Sequence, residues 1–137
     1  MRKLLKQSIL IIPMLIGVAS IALTSCKKEK PEYSITIASP TNNSTVTNAA
    51  SVSIEVTFTT NDELHEYDIS LKQDTVGAMD IAPFPLHGHE HEGSITITEA
   101  INLSSYPSGT RFIIAAETCA DHDCEEKVTS TSSFLIP

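Results

Sequence analysis

Residues 51–60 read SVSIEVTFTT. Val52, Ile54, Val56 and Phe58 take every second position, with Ser53, Glu55 and Thr57 between them. Successive side chains of a strand point to opposite faces, so this alternation predicts a strand buried on one side and solvated on the other. The same period recurs further along. Tyr67, Ile69 and Leu71 alternate with Asp68 and Ser70, while Ile95, Ile97, Ile101 and Leu103 share one parity against Ser94, Thr96 and Thr98. β-Branched residues are abundant, and no segment shows the apolar stripe of an amphipathic helix.

Turn chemistry separates these runs: SPTNNS at 39–44, TND at 60–62, KQD at 72–74, PFP at 83–85 and YPSG at 106–109. Strands are therefore expected at 33–38, 50–59, 64–72, 75–82, 93–103, 110–118 and 126–136. Seven short strands at this spacing predict an all-β, seven-stranded antiparallel sandwich of two sheets. Three stretches also resemble bacterial immunoglobulin-like and fibronectin-type-III-like domains: YSITIASPTNNSTV at 33–46, GSITITEAINLSSYPSGTRFIIAAETCAD at 93–121, and STSSFLIP at 130–137. The resemblance implies an architecture rather than an activity. The buried Trp and inter-sheet disulfide of antibody domains are missing, since the chain has no Trp and two of its three cysteines fall near one hairpin.

The first residues point to an address. Arg2, Lys3 and Lys6 precede the apolar run from Ile9 to Leu23, which Pro13 and Gly17 interrupt. A basic start followed by a short apolar run is a secretory signal, and this run falls short of the ~20 residues that span a bilayer. The following LTSC, residues 23–26, resembles the lipobox of bacterial lipoproteins. That resemblance implies cleavage before Cys26, acylation of its thiol and of the new N-terminus, and a multi-chain anchor in the membrane. Lys27 replaces the aspartate associated with inner-membrane retention, which implies the outer membrane of a Gram-negative cell. KKEK at 27–30 departs from the acidic pattern of surface-exported lipoproteins, so the periplasmic leaflet is expected. The chain then divides into a signal peptide (1–25), the lipidated Cys26 with a tether (26–32), and one domain (33–137).

Charge narrows the partners. The formal net charge is −8. All 17 acidic residues follow the signal peptide, whereas three of the nine basic residues lie within it, so the domain is more acidic still. Such a surface repels a phosphate backbone, and nucleic acid is not an expected partner.

Histidine is where chemistry is most concentrated. HGHEHEG, residues 87–93, places His87, His89 and His91 at alternate positions. With the strands lettered A to G, His65 follows the B–C turn, His87 to His91 fall in D–E, and His122 in F–G. In an antiparallel sandwich these three connections emerge at one pole. Extending the 93–103 strand backward gives His91, His89 and His87 the parity of its core-facing residues, and His65 shares the parity of Tyr67. Alternate strand residues lie ~6.7 Å apart, and imidazoles bent onto one ion ligate at ~2.0–2.1 Å. His65, His87, His89, His91 and His122 are thus candidate ligands for a zinc or copper ion. The competing reading is a solvated loop, made flexible by Gly88 and Gly93, whose ordering would cost entropy.

CADHDC, residues 119–124, admits two readings: thiolate zinc ligands, or a disulfide between Cys119 and Cys124. If Cys26 carries lipid, these two form an even pair in an oxidising compartment, which favours the disulfide. No nucleophile elbow, phosphate-cradling glycine loop or catalytic triad order is present, so an enzyme is not expected. The expectation is a membrane-anchored module that captures a transition metal. The alternative is a structural or interaction module that binds an envelope protein or glycan without metal.

Overall fold

The computed structural model describes residues 30–119, 124 and 126–137, and among these it forms eight strands and no helix. In chain order they are β1 (Tyr33–Ser39), β2 (Ser44–Thr45), β3 (Val52–Thr60), β4 (Tyr67–Gln73), β5 (Leu86–Gly88), β6 (Ser94–Ile101), β7 (Arg111–Cys119) and β8 (Lys127–Leu135). The expected signal peptide, Cys26 and His122 lie outside the described residues.

The stretch at 51–60 behaves as its alternation requires. Val52, Ile54, Val56 and Phe58 are buried along β3, the middle strand of a three-stranded sheet ordered β1-β3-β6. Both neighbours are antiparallel: Ile35 and Ile37 face Phe58 and Val56 from one side, while Ile95, Ile97 and Ile101 face Phe58, Val56 and Val52 from the other. The apolar residues of three strands thereby share one face.

A five-stranded sheet, ordered β2-β8-β7-β4-β5, supplies the other half of the core. Ile69 and Leu71 of β4, Phe112, Ile114 and Ala116 of β7, and Phe134 of β8 are buried in one cluster with the β3 residues. Phe112 stacks on Phe134 at 5.5 Å and meets Tyr106 edge-on at 5.1 Å. Phe58 and Tyr67 bring the two sheets together with ring centroids 5.2 Å apart.

Two elements depart from the sequence-based expectation. The span 75–82 is a turn rather than a strand. Ala78 N–H donates to Thr75, Gly77 takes the left-handed φ of 75°, and the return past β4 is limited to a bridge between Lys72 and Asp80 and a bond from Ile81 N–H to the Leu71 carbonyl. Val76 and Met79 project into solvent. Pro83 and Pro85 then have no N–H to offer a ladder, and the sheet edge is taken by β5 instead, at 86–88. The second departure is β2, a two-residue parallel pair with β8 that is too short to carry a period.

Candidate functional site

Ladder register fixes which connections share an end. Tyr33 pairs with Thr60 and Thr59 with Ser94 in one sheet; Tyr67 pairs with Gly88 and Thr118, and Cys119 with Lys127, in the other. The connections after Thr60, Gly88 and Cys119 therefore leave the fold at a common pole, as expected from the order of strands. His65, His89 and His91 lie on the first two.

The backbone around His65 is held on both sides. Leu64 is fully buried. The Glu66 carbonyl accepts a bond of 2.7 Å from the Thr118 hydroxyl, with Thr118 itself buried, and one of 3.3 Å from Cys119 N–H. The two connections are also tied together, since Thr60 N–H donates to the Gly93 carbonyl at 2.8 Å. The backbone beside His65 and the end of the connection that carries His89 and His91 are thus tied to the fold.

His89 is central to the cluster. Its ring centroid lies 4.8 Å from that of His91, edge-on, and 6.3 Å from that of His65. The Glu63 carboxylate stands 3.6 Å from His91 Nδ1 and adds an oxygen donor at the rim. Their nitrogen atoms do not yet converge: among the described residues, the group with all ligand atoms within 4.8 Å is Glu66, Cys119 and Cys124. Those two cysteines are at disulfide distance, with Cα atoms 4.9 Å apart, and joined sulfurs offer no thiolate to an ion.

His87 stands apart, which corrects the expectation that the three alternating histidines share one core-facing parity. It belongs to β5 and hence to the five-stranded sheet, not to a backward extension of β6. Leu86 packs against the core, so His87 faces outward, where its Nδ1 lies 3.0 Å from the carboxylate of its ladder partner Asp68. Asp68 was not legible as its partner, because the pairing depends on a three-residue strand without periodicity of its own.

Gly88 also reads differently in the fold. It is paired with Tyr67 in the ladder, and a β-carbon at this position would overlap the Tyr67 phenol. The glycine between His87 and His89 answers a close approach, not a need for flexibility.

The pole is strongly acidic. Asp62, Glu63, Glu66, Asp68, Glu117 and Glu126 all lie on it. Lys127 is drawn to Glu117, whose hydrogen bond and charge raise the lysine pKa above its ordinary value. The chain leading into β1 crosses the same surface: Lys30 pairs with Glu126, Glu32 N–H donates to Asn61 Oδ1 at 2.9 Å, and the Tyr33 hydroxyl donates to the Glu63 carbonyl at 3.3 Å. No protein-family model, curated protein or solved structure matches this chain.

Proposed function

We propose that this chain is a lipid-anchored envelope protein whose immunoglobulin-like β-sandwich captures one zinc or copper ion at the histidine pole. The observation that carries the reading is the nearness of the His65, His89 and His91 rings, which reach one pole from two separate connections. Two imidazoles on one tetrahedral ion ligated at ~2.0–2.1 Å hold their ring centroids about 5 Å apart. The separations of 4.8 and 6.3 Å bracket that value. Binding requires side-chain rotation, of exposed His89 and His91 and half-buried His65, to bring three nitrogens onto one ion, with Glu63 as fourth ligand or as the carboxylate that orients His91. His122 is a further candidate from the third connection. His87, paired with Asp68, is the histidine least suited to join.

The membrane address rests on LTSC and the signal-like run before it. Cys26→Ser removes the thiol that acylation needs, and loss of lipid labelling is the expected outcome. Calorimetric titration of the soluble domain, residues 30–137, with zinc and with copper at neutral pH tests the metal reading. One ion bound more tightly than by the isolated peptide LHGHEHEG is expected. Equal affinities would reduce the histidines to a solvated rim. The interaction module would then lead, with the exposed Val76 and Met79 on one turn as its first surface to probe.

A further inference from the structure

We infer that β6 accepts an extended segment of a partner protein as an added strand, and that Glu99 selects segments carrying a lysine or arginine among alternating apolar residues. The inference rests on neither the metal reading nor the lipid anchor.

The edges of the two sheets are not alike. Three are short or interrupted: β2 has two residues, β5 has three and follows Pro83 and Pro85, and β1 shifts register between Ile37 and Ser39 before Pro40. Short strands, prolines and bulges keep sheet edges from pairing with other chains. β6 ends the three-stranded sheet and runs for eight residues, Ser94–Ile101, with no proline, lysine or arginine. The span 75–82 turns against β4 of the other sheet, and no further strand follows β6 in its own.

Ladder geometry identifies the groups that point off this edge. Thr60 N–H donates to the Gly93 carbonyl at 2.8 Å, and pairs along an antiparallel ladder alternate between bonded and non-bonded. Ile95, Ile97, Glu99 and Ile101 continue the Gly93 set and turn their backbone groups toward β3. The N–H and C=O groups of Ser94, Thr96, Thr98 and Ala100 therefore point away from β3, and these residues are exposed. The Thr57 and Thr96 hydroxyls, 2.9 Å apart, agree with this phase, because side chains approach most closely at non-bonded pairs.

Glu99 gives the edge its chemistry. It lies opposite Ile54 and shares the core-facing parity of Ile95 and Ile97, and all three β6 residues are half-buried. An inward carboxylate at an edge opposes a purely apolar strand, which would cover it without offering a partner. Lys30, Lys72, Arg111 and Lys127 are each paired with another acid, and no other lysine or arginine occurs among the described residues. The strand this edge favours is thus one that brings its own cation. A second copy of β6 brings none. A basic partner also meets least repulsion from a chain of formal charge −8.

Two labelled peptides test this on the full chain: TVTKTVT, which reads the same in either strand direction, and TVTETVT. The lysine peptide should bind several-fold more tightly, the scale of cross-strand charge pairs, and Glu99→Lys should reverse the preference. Thr98→Pro removes an outward N–H and no bond to β3, so binding should be lost while the β-sheet circular dichroism signal stays. Bound lysine peptide should slow amide hydrogen exchange at Thr96 and Thr98. Failure of both peptides to bind the folded chain overturns the proposal, as does a preference that Glu99→Lys leaves unchanged. A chain that sediments as a dimer, and that Thr98→Pro returns to monomer, also overturns it, since a second copy then occupies the edge. If Thr98→Pro unfolds the chain, exchange in the wild type decides: protection of Thr96 and Thr98 supports the added strand, and unchanged exchange overturns it.

Discussion

Gly88 lies beneath the phenol of Tyr67, its ladder partner between β4 and β5, with no room for a β-carbon. Tyr67 is itself held 5.2 Å from Phe58 of the opposite sheet. Packing thus runs from the core, through one aromatic ring, to the backbone between His87 and His89. Gly88→Ala should force that ring or the β5 strand to move, at a cost of about 1–3 kcal/mol for overpacking. Denaturant unfolding checks the number, and an unchanged midpoint would refute the close-packing account.

Histidine substitutions should separate into two classes. His89→Ala and His91→Ala should abolish tight zinc or copper binding, while His87→Ala should leave it nearly intact. At a hundredfold excess over the dissociation constant, the ion should stabilise the wild-type domain by ~2.7 kcal/mol, and the first two variants should lose this gain. Affinity should fall on acidification, because protons compete for the same nitrogen lone pairs. Titration calorimetry and melting curves with and without metal give both readouts. Equal losses from all three variants would contradict the separation of His87 from the cluster.

The cysteine pair is open to direct chemical assay. Cys119 and Cys124, five positions apart and at disulfide distance, should present no titratable thiol in the native protein without reductant. Replacing both with serine should cost less than the ~3 kcal/mol associated with a 15-residue loop. Two free thiols in protein kept under oxidising conditions would return Glu66, Cys119 and Cys124 to candidacy as metal ligands.

Lys127 predicts a small alkaline effect with a definite sign. Its hydrogen bond to Glu117, reinforced by the carboxylate charge, raises the folded-state pKa above 10.5. A raised pKa means that the stabilisation is fully present below the unfolded value and is lost as pH rises through the folded one. The melting-temperature difference between wild type and Lys127→Gln should therefore be modest, as exposed pairs are, constant through neutral pH, and absent at strongly alkaline pH. A difference that grows with alkalinity would contradict the assignment.

Much of the fold was legible because its signals are local. Four buried residues in β3 alternate without interruption, and the apolar residues of β4 and β6 follow the same rule. The order of strands sufficed to bring the connections with His65, His89 and His91 to one pole, since direction alternates along an antiparallel chain. The span 75–82, expected as a strand, is a turn for an equally local reason: Gly77 takes a left-handed φ there, which side-chain pattern does not register. β5 was missed because three residues cannot establish a period.

The sequence by itself determined the strand faces and the shared pole, because the first follows from side-chain parity and the second from the order of strands. Tertiary structure decided which histidines meet. His87 and His89 are two residues apart, yet one is drawn to Asp68 by ladder register while the other reaches His65 and His91 from beyond the strand's end. It likewise decided that the chain enters the fold across the histidine pole, held there by Glu126 and Asn61. Such pairings join residues distant in sequence, and they exist only once two sheets have closed on a common core.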